Sequence, residues 1–338
     1  MKASVRAQDV AALAGVSQSA VSRTFTQGAS VSEDTRRKVL SAAQQVGYRP
    51  NALARSLITL RSRIVALVMS YLENQFYPLV IERLSQQLQR EGYHVLMFIA
   101  DMDEAADGVL AEILEYQVDG IIMASTILSS TLANSCAEVG VPVVQFNRTS
   151  SLEGLPRHTV STVTSDNYRG GELAAALLLE RGCRRIAFLA GLEASSTSIA
   201  REHGFVEALA LHGVTLAVRE TGHYDYGYAQ AATRRLFANP NPPDALFAAN
   251  DHMAIAALDV IRGELQLRVP GDVAVIGFDD VPQAAWSAYS LTSVRQNLEA
   301  MVRATVSLMC VQMQGTFAPR NIVIPCELIE RSTVRPSP

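Results

Sequence analysis

The sequence predicts an α/β protein in two parts: an all-α N-terminal domain, then two Rossmann-like lobes with parallel sheets. Three observations carry that prediction. The first sixty residues show helix caps and stops with no strand pattern, the rest alternates continuous apolar strands with amphipathic helices, and net charge changes sign between the two. At 338 residues the chain is also too long for one ordinary core.

Four short helices are expected in the head. Gln8 to Ala14 carries Val10, Ala11, Leu13 and Ala14 at helical spacing, and Gly15 supplies a left-handed stop. Ser17 caps a second helix bearing Ala20, Val21 and Phe25. Ser32 opens a third, striped by Val39, Ala42, Ala43 and Val46 and ended at Gly47. Pro50 then breaks the chain, and Asn51 can cap a fourth helix, Ala52 to Leu57.

From Ile64 the pattern changes. Strands are expected at about 64–70, 94–100, 120–125, 141–147, 185–191, 244–250 and 272–279, with helices such as Pro78–Glu91, Arg169–Glu180, Ile199–His212 and Met253–Arg262 between them. About 270 residues of this pattern fit two lobes better than one. The longest apolar runs are strand-sized, well short of the roughly 20 residues that span a bilayer, so no membrane segment is expected. The N-terminus lacks the apolar stretch and cleavage site of a secretory signal, which points to the cytoplasm. Cys136, Cys183, Cys310 and Cys326 lie far apart with no paired spacing, so reduced thiols are expected and no disulfide framework, metal or cofactor.

Charge is divided unevenly. Residues 1–60 carry eight basic side chains against three acids, a net +5, whereas the whole chain is −4. A basic head on an acidic body suits a polyanion-binding module attached to a part that does not touch the polyanion. Charge alone leaves RNA, DNA and acidic proteins open.

The spacing within the head narrows this. Small Ala11 lets two helices cross closely, Gly15 takes the turn, and Val10, Ala14, Val16 and Val21 make a small core. That leaves the start of the second helix, Gln18, Ser19, Ser22 and Arg23, without core duty. In a helix-turn-helix this face enters the major groove, where Gln reads base edges and Arg pairs with guanine. A short helical hairpin with a glycine turn also occurs in enzymes.

The longer pattern is more specific. Asp9-Val10-Ala11-x-x-Ala14-Gly15-Val16-Ser17-x-x-x-Val21-Ser22-Arg23, then Val31-Ser32-x-x-Thr35-Arg36-x-x-Val39, then Gly47-Tyr48-x-Pro50-Asn51-x-x-Ala54-x-x-Leu57, closely resembles the head of LacI/GalR family transcriptional repressors. The resemblance implies that Gln18, Ser19 and Arg23 read bases, with Ser17, Ser22, Tyr48 and Asn51 contacting or supporting the DNA backbone. It also implies a hinge helix that forms only on operator DNA and wedges Leu57 into the minor groove, flanked by Ala54 and Arg55; a six-residue helix is unstable alone. The alternative is a helical linker with Leu57 docked on the body. Thr24-Phe25-Thr26 departs from the family pattern and implies local repacking around Phe25.

The body is similar to the family's periplasmic-binding-protein-like domain, through to Leu328-Ile329-Glu330-Arg331-Ser332-Thr333. The expected division is 1–49 head, 50–62 hinge and 63–338 effector and dimerisation domain, with an N-lobe of about 63–161 and 294–322 and a C-lobe of about 162–293 and 323–334. Ligands bind beyond the carboxyl ends of parallel strands. Those positions hold Asn74, Phe76, Tyr77, Ser125, Asn147 and Arg148 in the first lobe, and Asp166 with Arg169, Tyr224, Asn250-Asp251 and Asp279-Asp280 in the second. By motif, Phe76, Tyr77, Arg148, Arg169, Tyr224, Asn250 and Asp279 match effector-contacting positions. Asp166, Asp251 and Asp280 have the alternative of helix caps, and Arg201 that of a contact between elements. Two arginines, Arg148 and Arg169, facing the cleft would favour a sugar acid or phosphorylated sugar over a neutral sugar.

The expected function is therefore a homodimeric repressor on pseudopalindromic double-stranded operator DNA, controlled by a small-molecule effector, a sugar or sugar acid. Rival readings fare worse. A Rossmann-like enzyme would need a glycine-rich phosphate loop, nucleophile elbow or histidine spacing that the sequence lacks. A transport solute-binding protein would need export and no basic head.

Overall fold

The computed structural model describes residues 5–26, 28–49, 61–70, 72–100, 107–124, 135–136, 138–149, 160–315 and 318–336. The expected fourth helix, with Asn51, Ala54, Arg55 and Leu57, lies outside the described residues, as does Ser125. Contacts divide the chain into two compact units, residues 1–62 and 63–338.

The head comprises α1 (Ala7–Ala14), α2 (Gln18–Thr24) and α3 (Glu33–Val46). Gly15 ends α1 at φ 65°, a conformation that favours glycine, and the turn is closed by Val16 N–H donating to Ala11 O at 3.1 Å. Ser17 and Ser32 accept from the amides of Ala20 and Thr35, each at 3.2 Å, satisfying donors that helices α2 and α3 leave open. Val10, Ala11, Val21, Val39, Ala42 and Ala43 form the core. Thr24 is buried there and returns its hydroxyl proton to Ala20 O at 2.8 Å, while Phe25 packs on Tyr48 at a centroid distance of 5.8 Å. The unusual Thr24-Phe25 pair thus fits without opening the core. Arg36 donates to Thr24 O, placing a cation at the carboxyl end of α2.

In the body the described elements are β1 (Ile64–Met69), α4 (Phe76–Arg90), β2 (His94–Ile99), α5 (Asp107–Glu115), β3 (Gly120–Ala124), β4 (Val143–Phe146) and β5 (Ser161–Ser165). There follow α6 (Asn167–Glu180), β6 (Ile186–Ala190), α7 (Ser196–Leu211), β7 (Val218–Thr221), α8 (Tyr226–Phe237), β8 (Ala245–Ala248), α9 (Asp251–Asp259) and β9 (Ala274–Asp279). The chain closes with β10 (Thr292–Gln296), α10 (Leu298–Gln312), β11 (Asn321–Ile324) and β12 (Cys326–Ile329).

Two six-stranded sheets result, ordered β11-β5-β4-β3-β1-β2 and β12-β10-β9-β8-β6-β7. Pairings are parallel except that β12 runs antiparallel to β10. Along β1, Val65, Leu67 and Met69 enter one apolar cluster and Ala66 and Val68 another, so alternate residues are buried on opposite faces of a covered sheet. The lobe crossings differ from the expected positions. All of β5 lies in the first sheet, all of β10 in the second and all of β11 in the first, so the chain crosses after Ser165, after Gln296 and after Ile324. Splitting any of these strands between lobes would break its ladder of hydrogen bonds.

Helices α6, α7 and α9 also begin earlier than expected, because a polar residue in the turn before each caps it. Asp166 accepts from Arg169 N, Ser195 from Ser198 N and Asn250 from Met253 N. Helices α6 and α7 cross very closely: a Cβ on Gly204 would sit 2.0 Å from Tyr168 O, and one on Gly171 2.2 Å from Arg201 O. Only glycine permits that approach, which fixes the start of α7 and the side chains it carries.

Candidate functional site

In the head, α2 exposes Gln18 and Ser19 in its first turn and Ser22 and Arg23 in its last, with Ser17 as its cap. Ser17 and Ser19 hydroxyls lie 2.9 Å apart, and Arg23 Nε reaches back to Ser19 O at 3.4 Å. Tyr48 is half-buried against Phe25, so its ring supports the head's core.

In the body, strand ends from both lobes converge on one cavity of about 630 Å³, counting its open mouth. The first lobe contributes Ser70 after β1, Asn74, Phe76 and Tyr77 at the start of α4, and Asn147 and Arg148 after β4. The second contributes Leu192, Ala194 and Ser195 after β6, Thr197 and Arg201 of α7, Tyr224 after β7, Asn250 after β8 and Asp279 at the end of β9. Eight residues that the sequence places at strand ends are therefore together: Asn74, Phe76, Tyr77, Asn147, Arg148, Tyr224, Asn250 and Asp279. Asn147, Tyr224 and Asp279 have φ of 58°, 61° and 116°, backbone strain of the kind concentrated at functional sites.

Arg169 is a correction. It stands exposed in the first turn of α6 and pairs with Glu172 at 2.8 Å, one helical turn on, outside the cavity lining. The second cavity arginine is Arg201, which the sequence reading assigned to a contact between elements. It does make such contacts: Nε donates to Asn167 Oδ1 at 2.8 Å, a terminal nitrogen to Ala249 O at 2.5 Å, and its plane lies 3.6 Å from the Phe278 ring centroid. The same side chain lines the cavity and lies 3.6 Å from Asp279. Ser195 and Thr197 were also missed, although the segment after β6 holds the run Ser195-Ser196-Thr197-Ser198 at a strand end.

Burial pushes the Asp279 carboxyl up to about 6, while Arg201, a 2.6 Å bond from Gln296 and a longer one from Asn74 pull it down. Asp251 is no cap. It is fully buried and accepts from Ser293 Oγ at 2.6 Å and Val281 N at 2.9 Å; burial and then neighbouring Asp279 raise its pKa well above the carboxylate range. Asp280 is no cap either, being held by Arg295 and Arg331, each at 2.6 Å. Asp166 does cap α6.

Among the described residues, hydrogen bonds join the lobes around the cavity. Asn74 donates to Asp279 at 3.5 Å, His252 Nδ1 to Gln75 Oε1 at 3.3 Å, Arg148 to Ser195 Oγ, and Thr149 N to Ser196 Oγ at 3.0 Å. Inside, Asn147 Oδ1, Arg148 Nε and Asn250 Nδ2 are buried with no partner among the described residues. Such groups are costly unless a ligand or water meets them.

Comparisons with known proteins bear on both units. The model for bacterial regulatory proteins of the lacI family matches residues 7–51, and that for a periplasmic binding protein-like domain matches residues 175–334. The HTH-type transcriptional regulator CelR of Thermobifida fusca is 34% identical over 333 residues, 96% of each chain. The ribose operon repressor of Bacillus subtilis (strain 168) is 32% identical over 338 residues, 97% of this chain and 98% of that one. Among solved structures, a lac repressor dimer bound to operator and the anti-inducer ONPF aligns with a TM-score of 0.87 at 25% identity, covering 98% of this chain and 99% of that one. A CelR–cellobiose complex aligns at 0.73 and 32% identity, covering 97% and 99%.

A helix-turn-helix head followed by a two-lobed body with a polar cleft defines a DNA-binding transcriptional regulator. The chain belongs to the lacI family of bacterial regulatory proteins.

Proposed function

We propose that this regulator is a cytoplasmic, homodimeric repressor whose affinity for a pseudopalindromic operator is set by a sugar or sugar derivative in the interlobe cleft. The cleft itself carries this reading: Asn74, Arg148, Arg201, Asn250 and Asp279 surround one cavity with Phe76, Tyr77 and Tyr224 beside them. Carboxylates and amides suit hydroxyls, and aromatic faces suit the C–H side of a sugar ring. A ligand bonded to both lobes favours the arrangement in which they are joined, and a dimer transmits that bias to the spacing of its two heads. Family relatives support the partners: one solved relative is a dimer on operator DNA, and another holds cellobiose.

Among the described residues no helix is long and apolar enough to cross a membrane, and no group of His, Cys, Asp and Glu is placed to hold a metal. The Asp279-Asp280 pair gives catalysis little support, since Asp280 is committed to Arg295 and Arg331 and Asp279 to Gln296.

The test is fluorescence anisotropy of the full-length protein on genomic fragments, with and without sugars that raise its melting temperature. One fragment should bind in a salt-sensitive manner and well above bulk DNA, and a stabilising sugar should change that affinity. Arg23→Ala should cost about 1–3 kcal/mol on that fragment and little on random DNA. Binding no fragment in preference to bulk DNA sinks the proposal.

A further inference from the structure

We infer that the cleft takes an anionic sugar derivative, a polyol bearing a carboxylate or phosphate, and that Arg148 receives the anionic group; this rests on the cleft being the effector site. Three lining residues carry charge, Arg148, Arg201 and Asp279. Arg201 is already answered, by Asp279, Asn167, Ala249 O and the ring of Phe278. Arg148 forms no ion pair among the described residues. Its guanidinium is held by a bond to Ser195 Oγ and by the Tyr224 ring, 5.7 Å to the centroid, while Nε is buried without a described partner. The lining thus sets two cations against one carboxylate in a largely buried space, an imbalance that an anionic ligand removes and a neutral one leaves in place.

The surroundings of Arg148 are donor-rich. Ser195 Oγ, Thr197 Oγ1 and Tyr224 Oη form a hydroxyl chain with steps of 2.9 and 3.1 Å. Ser195 also caps the sixteen-residue helix α7, and Asn250 Nδ2 is a further buried donor without a described partner. A guanidinium backed by hydroxyls and a helix amino end matches carboxylate or phosphate oxygens, while Asp279 remains for ligand hydroxyls. Arg169 lies outside the cleft, and the charge imbalance comes from Arg148 alone.

Calorimetric titration of the full-length protein with D-glucuronate, D-gluconate and D-glucose 6-phosphate, against D-glucose, and with D-galacturonate against D-galactose, tests this. At least one anion should bind about tenfold or more tightly than its neutral counterpart, acids and phosphate separating the two sources of charge. Arg148→Gln should weaken that anion about tenfold more than the neutral sugar, and Arg148→Lys less so. Neutral sugars binding as tightly as every anion overturns the proposal while sparing the sugar site. No binding by either kind overturns the sugar site and the proposal with it. If Arg148→Gln melts early, salt dependence decides: anion affinity should fall with ionic strength, and a flat response counts against an Arg148 contact.

Discussion

A carboxyl as buried as Asp279 is costly to ionise, and its neighbours only partly offset that cost. Its folded pKa of about 6 lies above the ordinary value of 3.8, so the folded chain holds a proton that the unfolded chain has released. Below about pH 3 both states are protonated and the group is neutral to stability; the penalty grows as pH rises from about 4 and is fully developed above about 6, at no more than about 3 kcal/mol. Asp279→Asn removes this titration. Urea unfolding should therefore show the variant gaining on the wild type between about pH 4 and 7, whatever its offset from leaving Arg201 without its carboxylate. A constant difference across that range would place the Asp279 pKa at its ordinary value. Single residues were legible where position alone decides a role. Strand ends located Asn74, Arg148, Tyr224, Asn250 and Asp279, but position does not give direction. Arg169 follows a strand end yet turns along its own helix to Glu172, whereas Arg201 lies inside a helix and points its charge into the cavity.

Helices α6 and α7 meet through glycine, and the pair positions much of the second lobe's share of the cleft. Gly204→Ala should cost about 2 kcal/mol or more, because the added methyl meets the Tyr168 carbonyl and neither backbone can yield. Gly263→Ala is the control: a Cβ there meets nothing within 4 Å, and stability should hold within about 0.5 kcal/mol. Thermal or urea unfolding measures both. Sugar binding should weaken in the first variant alone, since α7 carries Thr197 and Arg201 and is capped by Ser195. Strands were legible where they are apolar throughout, as in Ile64–Met69 and Ala274–Asp279. Ser161–Ser165 and Thr292–Gln296 escaped notice because their sequences, STVTS and TSVRQ, look like polar loops. Both are buried as strands, and their hydroxyls are satisfied: Gln312 donates to Ser161, Ser293 donates to Asp251, and Thr292 Oγ1 accepts from Arg331 N at 2.9 Å.

Head and body each have a separate core, Val10, Val21 and Val39 in one and the sheet clusters in the other. A chain of residues 63–338 should therefore fold and keep the same sugar-induced rise in melting temperature as the full-length protein, while losing salt-sensitive DNA binding. Loss of the sugar response on removing the head would show that the body's cleft depends on it. Two lobes were legible from the recurring strands and helices. Their crossing points were not, since alternation shows that a strand exists and not which sheet it joins. Those crossings leave each lobe discontinuous: β11 is an edge of the first sheet and β12 of the second, and both follow every other described strand in the chain. During synthesis a ribosome therefore releases the DNA-reading helices long before either sheet has its final strand. A nascent chain, or one ended before residue 321, can hold a finished head with no working sensor behind it, so truncation there should yield proteins blind to the metabolite, not merely weakened ones.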